Sequence, residues 1–145
     1  MRTLAIDYGS KRIGLALSDP TGTLARPLPF LPVKADAKLA REIAQLAEKE
    51  QASLILLGLP RHMSGELGEA ALKVQAFAAI LEKATPVKIK LIDERLSTVQ
   101  ASRQLQEAGK NARNQRTHID SEAASVLLQS YLDTQTNFPL LPPDE

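Results

Sequence analysis

RTLAIDYGSKRIGLALSDPTGTLARPLPFL, residues 2–31, contains three extended apolar runs separated by two turn signals. The first run, RTLAID, ends on Asp7, and Tyr8-Gly9-Ser10 follows as a turn. RIGLALS (12–18) is the second run, closed by Asp19-Pro20-Thr21-Gly22. The third continues to about Leu31. Parallel neighbours need a long crossover, so two short turns imply an antiparallel three-strand meander.

Beyond this stretch the apolar period changes. Leu39, Ile43, Leu46 and Ala47 recur at helical spacing among charged residues, with Asp36 as the expected N-cap. SLILLGLP (53–60) reads as a buried strand stopped by Gly58 and Pro60. A second helix is expected from roughly Glu66 to Lys83, and after Pro86 the run VKIKLI (87–92) is another strand. Ser97-Thr98-Val99-Gln100 fits a capping box that opens a third helix, which Gly109 ends. A basic loop leads to Asp120, where a fourth helix starts and runs to about Gln135. The order β-β-β-α-β-α-β-α-α gives an α/β domain. Its mixed five-stranded sheet comprises the meander and two α-β units, with helices on its faces. The expected domain is 1–137, and 138–145 is a proline-containing tail.

Composition bounds the function. A chain of 145 residues, 43% apolar, suits one domain with one core. The absence of cysteine excludes disulfide frameworks and thiolate metal sites. No apolar stretch is long enough for a signal peptide or membrane helix, so a soluble cytoplasmic protein is expected. Net charge is only +1, but residues 109–119 carry Lys110, Arg113, Arg116 and His118 with no acid. Tyr8, Tyr131 and three phenylalanines are the only rings, so base stacking is not a main source of affinity. Shape and backbone charge fit a nucleic-acid partner better.

Three motifs carry acids that strand topology can bring together. Asp7 ends the first strand and precedes a tight hairpin, which leaves room for a phosphate or metal beside the backbone; it reads equally as a turn residue. Asp93 and Glu94 follow an apolar strand and point to opposite faces, so only one can stand with Asp7, and periodicity does not choose between them. Asp120 opens the last helix, where a carboxylate is also an ordinary cap. Basic residues surround these motifs. Lys11 and Arg12 lie on the first hairpin, Arg61 follows the Gly-Leu-Pro turn beside His62, and Arg95 follows Glu94. Together with Lys110, Arg113 and Arg116 they are candidate phosphate contacts, or else solvated loop charges. His118 reads as incidental.

Five blocks in order resemble one family. They are IDYGSKRIGLALSD (6–19), GTLARPL (22–28), LLGLPRHMSGELG (56–68), DERLSTVQA (93–101) and IDSEAASVLLQSYL (119–132). They resemble the YqgF/RuvX family, described as pre-16S rRNA nucleases and Holliday junction resolvases, within the ribonuclease-H-like superfamily. The resemblance implies a ribonuclease-H-like fold with Asp7, Glu94 and Asp120 as catalytic metal ligands, and so selects Glu94 over Asp93. It implies two Mg²⁺ or Mn²⁺ ions about 3.5–4 Å apart astride the scissile phosphate, with Asp7 as the bridge. Oxygen-only ligands suit such hard cations. It further implies an endonuclease acting in 5′-end processing of pre-16S rRNA during ribosome biogenesis, or alternatively on four-way DNA junctions in recombination and repair.

The sequence departs from related resolvases outside the family, which carry a second acid three residues into the last motif. Here that position is Ala123, and Glu122 is rotated by roughly 200° from Asp120. The stretch NQRTHI before Asp120 is also less lysine-rich than the family form. A junction resolvase needs a symmetric dimer for paired cuts, and the sequence displays no obvious dimer face, so monomer and homodimer both stand. Two other classes compete. A sugar-kinase-like phosphotransferase shares the Asp-x-Gly hairpin but needs two such domains. A non-catalytic RNA-binding module has no need of all three acids.

Overall fold

The chain threads five strands into one sheet of order β3-β2-β1-β4-β5. The computed structural model describes residues 2–9, 11–60, 68–93 and 122–137. Strands β1 (Arg2–Tyr8), β2 (Arg12–Ser18) and β3 (Ala25–Pro32) form the antiparallel meander. Helix α1 (Asp36–Lys49) then crosses to β4 (Ala52–Leu59), which pairs parallel with β1. Helix α2 (Glu69–Ala84) crosses to β5 (Lys88–Asp93), parallel to β4. Helix α3 is Glu122–Asn137. The expected α/β class and mixed five-stranded sheet are therefore present. The expected helix over 97–108 and the 138–145 tail lie outside the described residues.

Alternation along the strands sorts the core into two layers. Leu4, Ile6, Ile13, Leu15, Leu17, Ile55 and Leu57 pack against Leu39 and Ile43 of α1 and Val74, Phe77 and Leu81 of α2. The intervening residues Ala5, Ala16 and Leu56 face Ala124, Leu128 and Leu132 of α3. The side chains beneath α3 are small in β1 and β2, so the helix packs chiefly on β2, β1 and β3. Gln129 ties it down there. Its Oε1 accepts from the Ala25 amide at 2.9 Å, and its Nε2 donates to the Thr23 carbonyl at 3.0 Å.

That bond shows how the β3 edge is protected. The Ala25 amide is directed at a side chain of α3 rather than into the sheet. Amides two and four residues on share its direction, and those residues are Pro27 and Pro29, which have no amide to leave unpaired. At Gly14 the register slips, so that Pro29 and Phe30 together stand opposite one residue of β2, a bulge. The second hairpin is held by Asp19. Its carboxylate accepts from the amides of Thr23 (2.7 Å) and Leu24 (3.0 Å) and from the Thr21 hydroxyl, which holds its pKa down at about 2.

The structure corrects one local expectation. Asp36 is not the N-cap of α1; Ala35 is, and Asp36 is the first helical residue. Its carboxylate accepts a 2.6 Å hydrogen bond from the Tyr8 hydroxyl instead. Helix α2 begins at Glu69 behind Gly68, three residues later than its periodicity suggests.

Candidate active site

Asp7 is the penultimate residue of the central strand, at the carboxyl edge of the parallel part of the sheet. Its neighbours in β1 fix its orientation. Ala5 belongs to the α3 layer while Leu4 and Ile6 belong to the α1/α2 layer, so Asp7 faces the α3 side, half-buried. Its pairing partner in β2 is Gly14. On the other side, the residue of β4 after Leu57, the partner of Ile6, is Gly58. A carboxylate is thus flanked along its row by two residues without side chains. That gap suits an ion or a phosphate oxygen against the backbone, and any Cβ at either glycine would project into it.

The turn beyond Asp7 is equally tight. The Gly9 amide donates to the Arg12 carbonyl at 3.1 Å. A Cβ on Gly9 would lie 2.4 Å from that oxygen, closer than packed atoms tolerate. Gly9→Ala is therefore expected to force the hairpin open, at about 1–3 kcal/mol. Thermal unfolding should report the loss, and nuclease activity should fall further than stability because the turn sets the end of β1.

Tyr8 secures the opposite side of the same strand end. Its ring lies 4.9 Å from that of Phe77, tilted by 43°. Burial, followed by the Asp36 carboxylate, raises its pKa from 10.0 to about 12. A raised phenol pKa contributes stability that is complete below pH 10 and is lost as pH rises through about 12. Tyr8→Phe should cost about 1 kcal/mol near neutrality. The gap between wild type and variant should narrow above pH 10 in denaturant titrations; a constant gap would refute the Tyr8–Asp36 coupling.

Of the acids flagged by sequence, Asp7 is described; Glu94 and Asp120 lie outside the described residues. Asp93, however, pairs with Leu59 and shares its α1/α2 face, opposite to Asp7. Ile92 lies on the Asp7 face. Among the described residues no three acids or histidines gather as a metal cluster. Of the basic candidates, Lys11 is exposed on the hairpin. Arg12 follows it on the Asp7 face, one alternation beyond Gly14, with its guanidinium carbon 5.0 Å from the centre of the Phe30 ring. Arg61, Arg95, Lys110, Arg113 and Arg116 lie outside the described residues. Lys90 is a cation that sequence reasoning missed; it also faces the α3 side and stacks on Tyr131 at 5.2 Å. Its signal was its even position in β5, legible only once the register was known.

The family described as RuvX Holliday junction resolvase matches residues 1–134. The chain belongs to the RuvX family. Among its relatives is a Rhodococcus opacus protein named as a candidate pre-16S rRNA nuclease, 43% identical over 140 residues, which span 93% of this chain and 79% of that one. A Lachnospira eligens protein of the same name is 38% identical over 138 residues, covering 93% and 99%. Among solved structures, Thermus thermophilus RuvC in complex with a Holliday junction substrate superposes with a TM-score of 0.59 at 13% identity, covering 95% of this chain and 97% of that one. The fowlpox virus resolvase bound to junction DNA gives 0.52 at 16% identity, covering 92% and 98%. These two likenesses establish the fold that this RuvX family member shares with resolvases, the ribonuclease-H-like one.

Proposed function

We propose that this RuvX family member is a divalent-metal-dependent endonuclease that processes the 5′ end of pre-16S rRNA. The observation that carries the reading is Asp7 on the central strand between two glycines, in a chain whose relatives are named for that substrate. In this reading residues 1–137 are the nuclease domain, 138–145 a tail, and the protein works in the cytoplasm. Among the described residues no helix is long and apolar enough to cross a membrane.

Asp7, Glu94 and Asp120 would hold Mg²⁺ or Mn²⁺. Asp93, the residue before Glu94 in sequence, ends β5 at the same edge as Asp7 and takes the opposite face. Asp120 is two residues from the first residue of α3, within about 7 Å of it along the chain. The fit rests on donor chemistry: carboxylate oxygens beside a gap in the side-chain layer match hard cations. When bound, such ions activate water and stabilise the leaving oxygen of a phosphodiester. The chain's own contribution is to fix Asp7 through the Gly9 turn and the Tyr8 anchor. Arg12 and Lys11 stand at the hairpin to neutralise phosphate charge, and Arg61, Arg95, Lys110, Arg113 and Arg116 would extend that contact along the nucleic acid.

A second reading is favoured by the family description, which names a Holliday junction. One experiment separates them. The purified protein is incubated at equal salt with precursor RNA and with a four-way DNA junction, and the product ends are mapped. Cleavage at the 5′ end of the RNA with an intact junction supports the proposal. Paired symmetric cuts in the junction with uncut RNA would replace it.

A further inference from the structure

One aromatic ring stands level with Asp7 across the sheet. The row runs from Gly58 in β4 through Asp7 in β1 and Gly14 in β2 to Pro29 and Phe30, the bulged pair of β3. Leu28 and Leu31, on either side of that pair, stand opposite Leu15 and Ile13 and pack in the α1/α2 layer. Strict alternation from Leu28 would turn Phe30 into that layer too. The bulge inserts one residue and re-aims Phe30 to the Asp7 face, where the Arg12 guanidinium carbon lies 5.0 Å from its ring centre. Arg12 is exposed and Phe30 half-buried, so the pair reaches solvent at the edge where Asp7 stands. Turned into the α1/α2 layer the ring would bury more apolar area. The bulge forgoes that burial and sets a flat apolar surface beside a cation instead.

We infer that Phe30 and Arg12 form a stacking subsite for one base of a single-stranded RNA, belonging to a nucleotide that flanks the phosphate held at Asp7. This rests on the nuclease reading above. Neighbouring strands lie about 4.8 Å apart, so the backbones of Asp7 and Phe30, two strands apart, are separated by about 10 Å. That is the scale of one nucleotide from phosphate to base. Gly14, the sheet residue between them, has no side chain to fill the span.

Bases stack on aromatic faces and on guanidinium planes alike, and every base has a face to offer. The subsite therefore favours an unpaired nucleotide, whose base is free to leave its own stack, over a base held in a duplex. In a chain with so few rings it places one nucleotide and leaves the bulk of the affinity to backbone charge.

Two measurements test it. The full chain carrying Asp7→Asn, which should bind without cutting, is titrated into RNA oligonucleotides that span the mature 5′ end of 16S rRNA. Each oligonucleotide carries 2-aminopurine at one of the two nucleotides flanking that end. Stacking should quench the fluorophore at one of the two positions. Phe30→Leu, added to the same background, keeps apolar bulk without a plane and should abolish the quenching, whereas Phe30→Tyr should keep it. In cleavage assays with Asp7 intact, an RNA made abasic at the quenched position should lose about tenfold in kcat/KM, and Phe30→Leu should lose as much on unmodified RNA and nothing further on the abasic one. The abasic RNA changes no residue of the protein, so that arm does not depend on how a variant folds. No quenching at either position, quenching indifferent to Phe30→Leu, or a wild type indifferent to the abasic site overturns the subsite and leaves the nuclease reading intact. Phe30-dependent quenching of an RNA that the wild type never cuts keeps the subsite and removes the nuclease reading.

Discussion

Asp7→Asn is expected to remove divalent-metal-dependent cleavage while the protein still folds. Outer partners of metal ligands commonly cost 10–100-fold when lost, so loss of a carboxylate proposed to hold the metal directly should cost at least roughly 100-fold. The change keeps the side chain's size and removes its charge. Because the residue is half-buried beside glycines rather than packed in the core, thermal stability should move by about 1 kcal/mol or less. Cleavage of precursor RNA with Mg²⁺ or Mn²⁺, measured beside a circular-dichroism melt, separates the two effects. Cleavage at wild-type rate by a folded Asp7→Asn protein would remove Asp7 from the site.

The second large effect is on stability. Phe77 is fully buried in the α1/α2 layer and supports the ring of Tyr8. Phe77→Ala leaves a cavity under the end of β1 and should cost about 3–5 kcal/mol. For a chain of this size that lowers the melting temperature by roughly 10 °C. Gln75→Ala, on the exposed side of the same helix, should stay within about 0.5 kcal/mol of wild type. Similar losses for the two variants would mean that α2 is not anchored through Phe77. Nuclease activity of Phe77→Ala, assayed well below its melting point, should also fall, since Tyr8 loses one of its two supports.

Much of this architecture is readable from sequence because local chemistry dictates it. The two turn signals at 8–10 and 19–22 allow only an antiparallel meander, and the helical crossovers add β4 and β5 as parallel strands, while the edge they join is seen only in the pairing of β4 with β1. Asp36 was misread because its helix-start signal is genuine while its side chain is captured by Tyr8, twenty-eight residues earlier in the chain. No pattern within thirty residues of one strand reveals such a tertiary bond. The choice between Asp93 and Glu94 is a matter of register. Alternation says that the two differ in face, and only the pairing of Asp93 with Leu59 says which face Asp93 takes. Gly14 and Gly58 look like ordinary strand glycines until the register sets them beside Asp7.

The prolines of β3 bear on how the chain survives its own synthesis. The meander ends at residue 32 and β4 is complete only at residue 59. At about 5–20 residues per second, the ribosome exposes the meander for roughly one to five seconds before β4 arrives. During that interval one border of the nascent sheet is the proline-bearing strand, which offers few amides for another polypeptide to pair with. The other border is β1, whose Leu4, Ala5 and Ile6 await β4. Sticky exposure is thereby greatest on the side that the chain itself is about to occupy.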